Sequence, residues 1–149
     1  MKCIGKNQGQ QGFTIIELMI AVAIVAILLK IALPSYMNQI QQSRRASAKT
    51  ALLDLASREA RYYSTNNAYS SSLTTLGYTG AGTATGSIAI PSTSTHYYDL
   101  TVTTNTGNTT FTGTAAPVSP QNSDACGTYT LDNYGNQTPT GSGLGVNCW

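Results

Sequence analysis

Glu17 opens the chemical question in this chain, because the residues after it run LMIAVAIVAILL and give a carboxylate no polar company. An unpaired charge at membrane depth costs on the order of 3 kcal/mol by insertion scales, so an acid here is expected to have a partner. Lys30 is the other charge in the run, near its far end, where its long stem can snorkel outward. The two lie roughly 20 Å apart along a helix, too far to pair within one chain. Elsewhere the chain is poor in reactive groups. His96 is the single histidine, with no Ser, Cys or Asp at the spacing of a hydrolytic constellation, and reads as an ordinary strand residue. Asp124 and Asp132 lack the oxygen-ligand density of a calcium loop. Asn108 and Asn136 head N-x-T triplets, a pattern short enough to recur by chance. No phosphate loop, zinc spacing or dinucleotide fingerprint occurs, so no catalytic residue, metal or cofactor is expected.

The elements that must position Glu17 follow from composition. The chain has 149 residues, room for one domain plus a membrane or targeting segment. Charged residues make up only 9% of it, and Ser, Thr, Asn and Gly crowd the second half, a neutral surface unlike that of a typical cytosolic enzyme. The formal charge of +2 comes from Lys2 and Lys6; after Gly12, six bases face six acids. Residues 64–149 contain no Lys or Arg. Both facts argue against charge-driven nucleic-acid binding, so no clear nucleic-acid site is expected.

Residues 1–12, MKCIGKNQGQQG, are short and polar, and they precede the apolar run, the reverse of a secretory signal peptide. Removal of this segment at Gly12 would leave the hydrophobic stretch on the mature chain. Phe13 to Leu33 is long enough, at roughly 31 Å as a helix, to cross a bilayer. Pro34 should kink or loosen this helix without ending it. Beyond it, Tyr36, Ile40, Ala48, Leu52, Leu55, Ala56 and Tyr63 recur at three- and four-residue steps, one apolar stripe on a polar rod. Arg44, Arg45, Lys49, Asp54, Arg58 and Arg61 fall off that stripe and read as solvated faces. The helix is expected to run from Phe13 to about Tyr63. A turn-rich stretch follows, and then the alternating runs SIAI, HYYDLTVTT, NTTFTGTAA and GTYTLD read as half-buried antiparallel strands. In the second run Tyr98, Leu100 and Val102 should face the core, and Tyr97, Asp99, Thr101 and Thr103 the other side. TNTGNT and DNYGN suit hairpin connections. The fold class is α+β: a long N-terminal helix, transmembrane in its first half, packed on a small antiparallel sheet.

The polar leader, Gly12, Phe13, Glu17 and an apolar run ending in Pro34 stand at fixed spacing, and together they resemble the N-terminus of the type IV pilin family. The resemblance covers Gly12 to about Leu53, continues into REARYYSTNNAYS and resumes at CGTYTLDNYGNQTPTGSG…CW. That C-terminal pattern is most similar to the minor pilin PilE group. The resemblance implies a cleaved leader over 1–12, a transmembrane and filament-core helix half over 13–35, and a periplasmic or extracellular globular domain over 36–149. It implies that a prepilin peptidase and N-methyltransferase cuts after Gly12 and methylates Phe13. It also implies that lipid surrounds the helix in the bacterial inner membrane before an assembly platform there passes the subunit to other pilin subunits in an extracellular filament. In the filament Glu17 would pair with the Phe13 amine of a neighbour. With Cys3 gone in the leader, Cys126 and Cys148 remain to form a disulfide in an oxidising compartment.

Two positions depart from the family pattern. Ala26 stands where glycine is frequent, which makes loosening of the helix ahead of Pro34 harder by up to ~1 kcal/mol. Lys30 stands where a small or apolar residue is usual, and in a filament core it would need a partner or a water path. The function so implied is a minor pilin supporting pilus biogenesis and pilus-dependent motility, adhesion or DNA uptake. The alternatives are a major pilin, a pilin-borne adhesin or DNA receptor, and a type II secretion pseudopilin.

Overall fold

The computed structural model describes residues 12–82, 85–141 and 148–149. The first eleven residues of the expected leader, Cys3 among them, lie outside the described residues. Those described form one helix, α1 (Ile15–Asn66), and five strands: β1 (Ile88–Pro91), β2 (His96–Thr104), β3 (Phe111–Pro117), β4 (Tyr129–Asp132) and β5 (Gln137–Pro139). Contacts divide the chain into two units, one up to Asn38 and one from Gln39 to Trp149.

In the first unit α1 is built from Ile, Ala, Val and Leu on every side, so no single face is marked for a core. None of its described residues is buried. Pro34 lies inside the helix, which continues through it. Its ring offers no N–H to the carbonyl one turn earlier, at Lys30, and one missing bond in a long ladder does not stop propagation.

In the second unit α1 has a buried face. Ala48, Leu52 and Leu55 are buried at steps of four and three, as the apolar stripe requires. The ends of the expected stripe behave otherwise, for Tyr36 is 63% exposed and Tyr63 is exposed as well. The same face is completed instead by two charged residues, Arg45 and Glu59, both buried. A count of apolar positions passes over them, because their burial depends on partners elsewhere in the chain. The helix ends at Asn67, whose φ of 55° is left-handed and whose N–H returns 2.8 Å to the Tyr63 carbonyl.

The strands form one antiparallel sheet in the order β1-β2-β3-β4-β5. Register places Leu100 between Ile88 and Ala115, and Gly113 between Val102 and Leu131. Tyr98, Leu100, Val102, Phe111, Ala115, Tyr129 and Leu131 thereby join Leu52 and Leu55 in one core. Gly113 is required by this approach, since a Cβ there would stand 2.6 Å from Leu55 Cδ2 and 3.2 Å from Leu52 Cδ2. Asp99, expected on the solvent side of β2, is buried at 4% exposure, and His96 Nε2 lies 2.7 Å from its Oδ1. The two N-x-T segments fall at hairpins. Asn105 Oδ1 accepts the Thr109 and Thr110 N–H groups between β2 and β3. Asp132 Oδ1 accepts those of Tyr134 and Asn136 between β4 and β5. β5 was not expected: Gln-Thr-Pro is too short and too polar to show an alternation.

Candidate functional site

At the head of the chain, Gly12, Phe13 and Thr14 precede the first helical turn. Phe13 is 90% exposed. A Cβ built on Gly12 meets nothing within 4 Å among the described residues, so this fold does not itself demand glycine there. Thr14 and Glu17 cap the helix reciprocally. The Glu17 N–H donates to Thr14 Oγ1 at 3.3 Å, while the Thr14 N–H and hydroxyl donate to Glu17 Oε2 at 3.1 and 3.0 Å. This is a capping box, and T-x-x-E was readable in the sequence as one. Two of the backbone donors left over at a helix start are thus satisfied reciprocally, the Thr14 N–H by the Glu17 carboxylate and the Glu17 N–H by the Thr14 hydroxyl oxygen. Both bonds from Thr14 use Oε2, so Oε1 is open to a further donor.

Behind the cap, α1 contains an 18-residue window of mean hydropathy 2.7 with none of it buried, long and apolar enough to cross a membrane. Lys30 is exposed in the same stretch. The expected site residues Gly12, Phe13 and Glu17 therefore lie together at one helix end, and Pro34 lies farther along the helix.

The other expected pair, Cys126 and Cys148, is joined by a disulfide, with Cα atoms 5.6 Å apart. Next to it stands a cluster the sequence did not reveal. Arg45 Nε donates to both oxygens of Asp124, at 3.0 and 2.9 Å, and its Nη2 closes a further contact to Oδ1. Asp124 also accepts from the Tyr98 hydroxyl and Gln121 Nε2, each at 3.2 Å, and from the Cys126 N–H at 3.3 Å. Burial pushes the Asp124 carboxyl up, but the hydrogen bonds from Arg45, Cys126 and Gln121 outweigh it and hold the group below the usual carboxylate range. Lys49 lies 5.9 Å from the centres of both the Tyr129 and Trp149 rings, and Arg44 lies 4.2 Å above Tyr97. These helix cations hold the connection between β3 and β4 and the C-terminal Trp149 onto α1, and the solvated faces expected for Arg44, Arg45 and Lys49 are replaced by contacts with that connection, with strand residues Tyr97 and Tyr129 and with Trp149. Asp124 and Asp132 serve separate structural tasks, and among the described residues no group of three or more His, Cys, Asp or Glu side chains could hold a metal ion.

A second set of bonds holds the loop after the helix. Asp54 accepts from Arg58 at 2.8 Å and from the Tyr78 hydroxyl at 2.6 Å, while Arg58 also reaches the Leu76 carbonyl at 3.0 Å. Glu59, fully buried, accepts the Ser70 N–H at 3.0 Å on Oε2, and among the described residues its Oε1 has no hydrogen-bond partner. Burial pushes its carboxyl above the ordinary range, with the Ser70 bond opposing.

A family model described as "Type IV minor pilin ComP, DNA uptake sequence receptor" matches residues 34–130, and one described as "Prokaryotic N-terminal methylation motif" matches residues 7–32. The chain is 38% identical over 72 residues to the type IV major pilin protein PilA of Myxococcus xanthus, covering 48% of this chain and 33% of that protein. It is 40% identical over 83 residues to the type IV major alpha-pilin of Moraxella bovis, covering 51% of this chain and 52% of that protein. The matched regions thus span a third to a half of the length of these relatives. A solved type IV pilin structure from Shewanella oneidensis superposes with a TM-score of 0.52 at 29% identity, covering 73% of this chain and 97% of that one.

Proposed function

Because the chain belongs to the type IV pilin family, we propose that it is a minor pilin, cut after Gly12, methylated at Phe13 and built into a pilus whose assembly it supports. One arrangement carries this reading: an exposed Gly12–Phe13 junction and a Thr14–Glu17 cap at the head of an apolar helix with nothing buried against it. Such a surface requires a cover. Lipid of the inner membrane, crossed once, covers it before assembly, and the apolar helices of other subunits cover it afterwards. The peptidase and the assembly platform act between those two states. Glycine at position 12 is then a demand of the peptidase, since the fold has room for a side chain there.

Glu17 has two tasks in this reading. In the single subunit it satisfies the Thr14 N–H. In the filament it pairs with the Phe13 amine of a neighbour, where a lone carboxylate would cost about 3 kcal/mol at membrane depth. Mass spectrometry of sheared filaments tests the proposal. The expected result is a chain beginning at methylated Phe13, in low abundance beside other pilins. An intact chain beginning at Met1 would refute the processing, and dominance in the filament would make the protein a major pilin, as its named relatives are.

DNA uptake is the second reading, favoured by the printed description of the matched family. Charge opposes it, because residues 64–149 carry no cation and Arg45 and Arg58 are committed to Asp124 and Asp54. Titration of the detergent-solubilised protein with duplex DNA at rising salt checks it. Weak binding without sequence preference is expected, and tight sequence-selective binding would promote this reading to first place.

A further inference from the structure

Lys30 has no task in the reading above, yet it stands exposed in a stretch where a cation is costly. Glu17 is exposed in the same stretch, with Oε1 open. Unbroken helix connects the two. Thirteen residues of it rise about 20 Å, so they do not pair within a chain. The same thirteen steps of about 100° leave the two side chains roughly 140° apart around the axis. That angle decides which contact can join them. A closed two-fold dimer would need both charges on one face, so that each copy meets the other twice. Charges on nearly opposite faces instead join copies head to tail, and such a heterologous contact continues into an open array. Insertion of every copy into the membrane with the same polarity makes the helices parallel.

We propose that the N-terminal helices of two subunits pack in parallel, offset by thirteen residues, so that Lys30 of one forms a salt bridge with Glu17 of the other. The proposal rests on the pilus-subunit reading and adds a register to it. The offset also sets Phe13 of one copy level with Ala26 of the other, a large ring against a small side chain. It sets Ala21 level with Pro34. Small residues opposite bulky ones let helices approach closely where lipid gives no hydrophobic drive. A carboxylate accepts several hydrogen bonds, so the Lys30 contact is compatible with the amine contact at the same Glu17.

The test is a competition between full-length subunits, wild type against Lys30→Met and Lys30→Arg, co-expressed and counted in sheared filaments relative to the membrane pool. A merely tolerated lysine predicts that Lys30→Met enters as well as wild type or better, because a costly charge is gone; that result overturns the pairing and leaves the subunit reading intact. Pairing predicts that Lys30→Met is under-represented about tenfold, the order of one charge-assisted hydrogen bond, and that Lys30→Arg enters normally. Zero-length carbodiimide coupling of filaments made from mixed isotopic labels then identifies the acid. A Lys30–Glu17 link between labelled and unlabelled chains is expected, and a link from Lys30 to any other acid overturns the register. Absence of the wild-type chain from filaments overturns both the register and the reading beneath it.

Discussion

Leu28 and Leu52 belong to one continuous helix, yet Leu28 is 60% exposed and Leu52 is fully buried. Around Leu28 the helix is apolar on all sides, so burying it requires neighbours on all sides, which a membrane or a bundle supplies and a single sheet does not. Around Leu52 one face carries the buried residues Ala48, Leu52 and Leu55 while Leu53 is exposed, and the sheet covers that buried face at Gly113. The charges follow the same division. Glu17 and Lys30 stand exposed where they are costly once covered, and Arg45 and Glu59 are buried where the sheet domain supplies their bonds. Apolar content alone therefore does not place a residue in the core of a chain. The angular distribution of apolar side chains decides whether the cover comes from the chain itself or from others.

The sharpest way to break the comparison is at the buried ion pair. Arg45→Ala leaves Asp124 uncompensated and should cost about 3–5 kcal/mol of folding stability. Denaturant unfolding of the detergent-solubilised protein reads this, with the fluorescence of Trp149 reporting because that ring packs 5.6 Å from Tyr129. A loss below 1 kcal/mol would mean the pair is no more than a surface bridge.

Leucine truncations compare the two stretches directly. Leu52→Ala should cost about 2–5 kcal/mol by the same measurement. Leu28→Ala should stay within about 0.5 kcal/mol, as for surface sites, while lowering entry into filaments. Equal stability losses at both positions would erase the distinction drawn here.

The disulfide ranks next. The sequence separation of 22 between Cys126 and Cys148 corresponds to a stabilisation of roughly 3 kcal/mol in the loop-entropy model. Replacing both with serine should lower the unfolding midpoint accordingly, and thiol titration of the unfolded, unreduced wild-type protein should find no free thiol after leader removal.

Glu59→Gln should give the smallest effect, and of opposite sign. The Glu59 carboxyl is raised above its ordinary value, chiefly by burial. Its contribution to stability is therefore fully present below the unfolded pKa and lost as pH rises through the folded one. Glutamine keeps an acceptor for the Ser70 N–H and carries no charge, so the variant should gain about 1 kcal/mol near neutral pH. It should match wild type at pH 4. A loss at pH 7 would show that the ionised carboxylate contributes an interaction of its own. Asp124 behaves oppositely, since its lowered carboxyl supports the fold above the unfolded value and fails as pH falls through the folded one.

Sequence alone determined what depends on linear spacing. Gly12, Phe13, Glu17 and the apolar run are read along the chain because residue type and spacing are properties of the linear sequence. The helix, the first four strands and both hairpins were legible for a related reason: period and turn residues are local properties. Thr14 was passed over in the sequence, although T-x-x-E is a local pattern that marks a capping box. What required the tertiary structure was any property set by a residue far away. Arg45 reads as a solvated cation until Asp124, 79 residues on, meets it in the fold. β5 exists because β4 offers it an edge, and Gly113 matters because Leu52 and Leu55 press against it. Burial and pairing are decided by which groups share a volume, and only the folded chain brings those groups together.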